Sequence, residues 1–195
     1  DASVGEWVRG HVPAEQRQGA AALSNTLDST AQAVAWVAAV LTAARAESLP
    51  TGATAAVGLE LVRSAQRALK LYFHRARPTD FPPDYSFPSA HTARFALCTA
   101  LLLCVLLPRL LAASGQGGAG SGEGQPRQAL LPWLSAFALA WLTMGSARVS
   151  AEAHWASDTA GGAALGVGIA ALLELLVLAL TKGGLGAEGQ RGTQE

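Results

Sequence analysis

The chain has 195 residues, half of them hydrophobic and only 14% charged, with 14 basic residues balanced by 14 acidic ones. An average soluble domain carries roughly a quarter charged residues, so this composition points toward a bilayer. The lack of a basic excess argues against a nucleic-acid partner, and the length suits one domain, 1–195, large enough to bury a real core.

Residues 1–30 are polar to weakly apolar and predict an N-terminal interfacial segment, with an amphipathic helix around 14–27 and no function. His11 reads as a surface histidine. An alanine-rich run over 33–44 ends at Arg45, and Leu49-Pro50-Thr51-Gly52 is a turn signal. A helical pattern resumes over 52–70, interrupted by Glu60, Arg63 and Arg67. Both runs are too short or too charged to be spanning helices on hydropathy alone.

Three later runs, 95–113, 129–147 and 160–180, each approach the roughly 20 residues needed to cross a bilayer. A Gly/Ser-rich linker loop, 113–128, separates the first two, and 183–195 reads as a polar tail. Gly161, Gly162, Gly166 and Gly168 let helices approach closely. Trp133, Trp141 and Trp155 suit interfacial anchors, or core for one of them. Glu174, inside the last run, reads as a bundle-facing or snorkelling carboxylate. Cys98 and Cys104, six positions apart on one helix, point to different sides, so they read as small buried hydrophobes rather than a disulfide. The chain begins at Asp1 with no signal-peptide pattern, as an excised piece would, and a further helix upstream is compatible with it. With no strand alternation, heptad or internal repeat, the expected fold is all-α: a membrane-type bundle of about five helices.

Chain direction then gathers the polar residues. If helix 52–70 ends on one face, loop 71–89 lies there, helix 90–112 leaves from it and the glycine-rich linker falls opposite. Helix 129–147 returns, the segment 148–154 lands on the first face, and helix 155–181 departs. The active site is therefore expected at one membrane face.

Two segments on that face carry chemistry. In Ala147-Arg148-Val149-Ser150-Ala151-Glu152-Ala153-His154-Trp155-Ala156-Ser157-Asp158, a helix running from His154 would put Asp158 one turn on, on the same side, able to orient the imidazole as a nucleophile or base. In the other, Lys70 and Arg77-Pro78 precede Ser86-Phe87-Pro88-Ser89-Ala90-His91. Pro88 stops the loop, so Ser89 is placed at a helix start, where free N–H groups favour an anion. Lys70, Arg77 and Arg148 add three cations, two with guanidinium forks that fit phosphate oxygens. The same cations disfavour a metal ion, although His91, His154 and Asp158 are ligand types. Singly, each feature has a plainer reading: a snorkelling cation, an ordinary N-cap, a helix-surface hydrogen bond. In order and on one face, they favour a small polyanion. Tyr72, His74 and Arg75 stay as loop residues.

Lys-x6-Arg-Pro from Lys70, Pro-Ser-x-His ending at His91, and Arg-x5-His-x3-Asp from Arg148 to Asp158 resemble the three-part signature of the type 2 phosphatidic acid phosphatase and vanadium haloperoxidase superfamily, membrane lipid phosphatase branch. The resemblance implies a metal-independent phosphatase without cofactor. Its substrate would be a lipid phosphate monoester or prenyl pyrophosphate, with no obligate protein partner. By similarity, His154 attacks phosphorus to give a phosphohistidine, Asp158 orients His154 and His91 protonates the leaving oxygen. Lys70, Arg77, Ser89, Arg148 and the Ala90 N–H would hold the phosphoryl oxygens. The resemblance also implies an integral membrane protein with a lumenal or extracytoplasmic active face.

Two positions depart from the family's pattern, Ala90 where glycine is usual and Ala147 where serine is usual. They support an alternative, a catalytically silent relative that binds lipid phosphates or membrane proteins. Vanadate-dependent halide oxidation is a third reading.

Overall fold

A computed structural model describes residues 2–45, 49–79, 84–107 and 126–191, with side-chain surroundings for 4–44, 53–79, 84–107 and 134–180. Among the described residues there are six α-helices and no strand: α1 (Ala2–His11), α2 (Ala14–Arg45), α3 (Leu49–Phe73), α4 (Ala90–Ala100, prolonged by a π-helical stretch, Leu101–Leu106), α5 (Pro126–Ser150) and α6 (Ala156–Arg191). The all-α expectation holds, with six helices in place of about five.

The differences have local causes. The predicted pieces 14–27 and 33–44 are one continuous helix, α2, in which the hydroxyls find acceptors in the preceding turn and leave the backbone ladder unbroken: Ser24 donates to the Ala21 carbonyl, Thr26 to Ala22 and Ser29 to Asn25. Leu49-Pro50 opens α3 instead of a turn, since a proline in the first turn lacks only an N–H that had no intrahelical partner. Pro126 opens α5 in the same way. The expected tail from 183 is helical through Arg191. Residues 108–125, most of the predicted linker, and 192–195 lie outside the described residues.

Helix α4 is the centre, running against α2, α3, α5 and α6. Its Leu97, Leu101 and Leu106 expose nothing, and each such burial contributes ~2 kcal/mol. Around them stand Ala35, Ala38 and Ala39 of α2, Leu59 and Val62 of α3, and Ala170 of α6, small enough on the α2 side to let backbones approach. The α4–α6 contact is closer still. A Cβ on Gly162 would lie 2.5 Å from the Ser89 carbonyl oxygen, and one on Gly166 would overlap the Ala93 carbonyl and come within 2.7 Å of the Leu97 nitrogen. Cys98 is buried as expected, whereas Cys104 is exposed; both are free thiols.

Among the described residues two helices, Ala14–Ala44 and Ala156–Leu180, are long and apolar enough to cross a membrane by length and composition. Only 28% of each apolar window is buried, unlike the core helix of a soluble protein. Val37 and Val40 of α2, Leu139 and Leu142 of α5, and Leu172 and Leu175 of α6 all lie exposed, leaving the bundle an apolar exterior.

Candidate active site

The ends of α3 and α5 and the beginnings of α4 and α6 meet at one end of the bundle, as chain direction requires. Backbone and side-chain bonds lock the two polar segments together there. The Ser89 N–H donates to the Asp158 carbonyl at 2.9 Å, Arg77 Nη1 to the Ala153 carbonyl at 3.2 Å, and the Thr79 hydroxyl to the Glu152 carbonyl at 3.2 Å. Trp155, expected as an anchor or core residue, donates its indole N–H to the Ala76 carbonyl at 2.9 Å and so fastens the same junction. Helix α5 ends in a Schellman turn, with Glu152 N–H on the Val149 carbonyl and Ala153 N–H on that of Arg148. Glu152 takes the left-handed position, φ 53°, usually filled by glycine. That turn swings the chain so that His154 points back into the bundle end.

His154 is almost fully buried, and its Nδ1 lies 2.9 Å from the Ser86 carbonyl oxygen. A carbonyl only accepts, so Nδ1 carries the proton and Nε2 presents a bare lone pair. The predicted helix from His154 does not form: α6 begins at Ala156, and the Asp158 Oδ2 stands 3.6 Å from His154 Nδ1, in range of charge but not of a hydrogen bond. Asp158 instead accepts the Trp155 N–H on Oδ2 at 2.8 Å, at the helix start, and Arg75 Nη1 on Oδ1 at 3.0 Å. Burial pushes the His154 pKa down, Asp158 opposes this, and the charges of Arg148 and Arg77 push it down further. The imidazole is therefore held neutral.

Three predicted cations converge on this end. Lys70 Nζ and Arg77 Nη2 both reach Asp84 Oδ2, at 2.6 and 2.8 Å. Partial burial would raise the Asp84 pKa, but the hydrogen bonds and charges of Lys70 and Arg77 outweigh it and hold the carboxyl below its usual range. Arg148, 7% exposed, donates Nη1 to the Ser24 hydroxyl at 3.1 Å, while its Nε is a buried donor with no acceptor. A buried guanidinium N–H without a partner marks a place where an anionic oxygen would be stabilised.

His91 sits in the first turn of α4, at the polar end and outside the apolar spans of α2 and α6. Its Nε2 is 3.9 Å from Asp28 Oδ2, an oxygen that also takes Arg94 through Nε at 3.2 Å and Nη2 at 2.5 Å. Burial first, then the charges of Arg148, Arg94, His154 and Arg77, push His91 down to about 3. Arg148 at the end of α5 and Arg77 of the loop after α3 thus act on the same ring as Arg94 of α4 itself. Ser89 caps α4 as predicted, its oxygen accepting the Thr92 N–H at 3.4 Å and the Thr92 hydroxyl at 3.0 Å, and it is completely buried. Ala90 opens the helix with no positive φ, so the glycine of the family's pattern is not needed here for its conformation. Its N–H is one of the orphan donors at the helix start.

Sequence reasoning missed Asp28 and Ser24, which α2 carries into this end, and also Arg94, Asp84 and the Ser86 carbonyl. The signal for Asp28 was present: an acid in a long weakly polar helix, with Gln32 one turn on donating to its Oδ1 at 3.0 Å. Nothing local distinguishes Asp84 or Ser86 from ordinary loop residues.

Among families, the PAP2 superfamily matches residues 48–182. No curated relative matches the chain. Among solved structures, that of the first transmembrane PAP2 type phosphatidylglycerolphosphate phosphatase from Bacillus subtilis is similar, with a TM-score of 0.70 and 15% identity, over 90% of this chain and 83% of that one. At that identity the likeness concerns the fold. Since the family match takes in most of α3 through α6, with both histidines and all three predicted cations of the site, the chain belongs to the PAP2 superfamily.

Proposed function

We propose that this protein is a phosphatase of the membrane, removing phosphate from a lipid phosphate monoester or a prenyl pyrophosphate through a phosphohistidine on His154. The observation that carries the reading is the Ser86 carbonyl on His154 Nδ1, which fixes a neutral tautomer with a bare Nε2 lone pair, on a ring that the charges of Arg148 and Arg77 help to keep unprotonated. Nε2 attacks phosphorus, the N–P bond forms as the P–O bond to the leaving group breaks, and His91 supplies the proton that the departing oxygen takes. Water then attacks the phosphohistidine, giving its proton to His91 and releasing orthophosphate. Lys70, Arg77, Arg148, Ser89 and the Ala90 N–H would hold the phosphoryl oxygens, whose charge grows on the equatorial positions in the transition state. Three fixed cations can do this without a metal ion.

Support for a lipid substrate comes from the apolar exterior of α2, α5 and α6, which suits a bilayer that also holds the substrate's tail. An open groove of about 430 Å³, lined in part by Arg17, Gln18, Thr79 and Glu152, adjoins the turn between α5 and α6 and offers polar contacts to the part of the substrate next to the phosphate. By the resemblance to the membrane lipid phosphatases, the active end would face the lumenal or extracytoplasmic side. The test is phosphate release in detergent from a panel of lipid phosphates and prenyl pyrophosphates, with and without chelator. Turnover that survives chelator and is lost in His154→Ala is expected; turnover unaffected by that substitution overturns the proposal.

A further inference from the structure

Lys70 and Arg77 come from different elements, the end of α3 and the following loop, yet both end on one oxygen of one acid, Asp84 Oδ2. The cations are set into the wall, their side chains 8% and 14% exposed, whereas that of Asp84 is 56% exposed. The acid therefore approaches from the solvent side, and two charged N–H donors converge on its oxygen as they would on a phosphoryl oxygen.

We propose that Asp84 sets the phosphate affinity of this site: its carboxylate stands on Lys70 and Arg77 where a phosphoryl oxygen would stand, so phosphate binds by exchanging with it and leaves as it returns. The inference rests on the phosphate-binding reading of the preceding subsection. It differs from a strut that merely holds the cations in place. Arg77 keeps independent anchors, Nη1 on the Ala153 carbonyl and Nε on the Asp84 carbonyl at 3.1 Å, neither of which uses the Asp84 carboxylate. An acid more than half exposed also gains little from its ion pairs and is readily rehydrated. A phosphate dianion brings twice the charge and more oxygens to the same buried donors, so it wins the exchange. Its product, orthophosphate, meets the same competitor, which limits its retention.

The experiment is calorimetric titration of the full chain in detergent with orthophosphate and with orthovanadate, on wild type, Asp84→Asn, Asp84→Ser and Asp84→Glu. Removing one negative charge a few ångströms from the bound anion is expected to tighten binding of both by about tenfold in the Asn and Ser variants. Asp84→Glu keeps the charge and is expected to stay near wild type. Two neutral variants are used so that a folding failure of one leaves the other to read. If wild type binds and neither neutral variant binds tighter, the inference about Asp84 falls while the site stands. If neither wild type nor the neutral variants bind either anion, the phosphate site itself is wrong, and this inference with it.

Discussion

The Nδ1 of His154 is 2.9 Å from the carbonyl oxygen of Ser86 and 3.6 Å from the carboxylate of Asp158. The residue that fixes the tautomer is thus a backbone group sixty-eight positions away, and the carboxylate one helical turn on acts by charge. This separates two jobs that the spacing of the motif assigns to Asp158 alone. His154→Ala is expected to abolish turnover. Asp158→Asn keeps an oxygen for the Trp155 N–H and leaves the Ser86 bond untouched but gives up the acceptor of Arg75 Nη1, so it is expected to fold with reduced stability and to lower kcat by roughly a hundredfold, at the weak end for a group assisting proton chemistry. Single-turnover rates in detergent measure both. Complete loss in a folded Asp158→Asn protein would return the orienting role to the carboxylate.

The histidines predict the pH profile. Burial, reinforced by Arg148 and Arg77, depresses the His154 pKa, so the nucleophile stays neutral as pH falls through 6.5 and the acid limb of kcat/KM lies below that value. His91, pushed down to about 3, is a neutral imidazole in the free enzyme near neutrality, so the proton it passes to the leaving oxygen must arrive with the substrate as a phosphate monoanion. Monoanion plus neutral imidazole contains the same protons as dianion plus imidazolium. For a phosphomonoester, kcat/KM is then expected to decline above about pH 6, where the substrate loses its second proton. The kcat profile extends further toward alkali, because the bound dianion favours a charged His91. An acid limb centred above 6.5 would contradict this account.

Much of this arrangement is legible in the sequence. The end of the bundle where Lys70, His91, Arg148 and His154 meet follows from counting reversals of direction, and Ser89 at the start of α4 follows from Pro88 before it. What could not be read is whatever depends on packing rather than periodicity. Asp28 reaches Arg94 and the neighbourhood of His91 because α2 continues straight through the point where its hydropathy pattern changes, so a segment read as interfacial becomes part of the wall. The Ser86 carbonyl is invisible for a different reason: every residue has one, and only the fold decides which faces an imidazole.

The buried pair of Asp28 and Arg94 predicts a coupling. Asp28 is 3% exposed, and its Oδ2 takes both Nε and Nη2 of Arg94, whose side chain is 20% exposed. Asp28→Ala strands that guanidinium and is expected to cost about 3 kcal/mol, in the range for breaking one side of a buried ion pair. Arg94→Met strands the acid. The double variant, with no charge left to strand, is expected to lose less than the sum of the two. Unfolding midpoints in detergent for the four proteins give the coupling; strict additivity would mean that the pair contributes nothing as a pair.

Three glycines of α6 differ only in what stands opposite them, which makes them a controlled series. A Cβ at Gly166 would overlap the Ala93 carbonyl and crowd the Leu97 nitrogen, both backbone atoms of α4 that cannot rotate away. Gly166→Ala is therefore expected to destabilise by ~2–3 kcal/mol, the range for overfilling a tight contact. At Gly168 nothing lies within 4 Å, so Gly168→Ala is expected to be neutral or to stabilise by up to about 1 kcal/mol through helix propensity. Gly162→Ala carries a functional consequence as well. Its Cβ would press on the Ser89 carbonyl oxygen, and Ser89 is the residue whose N–H holds the start of α4 to the Asp158 carbonyl. Displacing it moves the Ala90 and His91 N–H groups away from the His154 side of the site. Gly162→Ala is expected to lose activity at temperatures where the protein is still folded, whereas Gly166→Ala loses activity in step with folding. Thermal unfolding and turnover measured on the same samples distinguish the two, and equal behaviour of all three alanine variants would show that α4 and α6 do not meet as closely as Gly162 and Gly166 require.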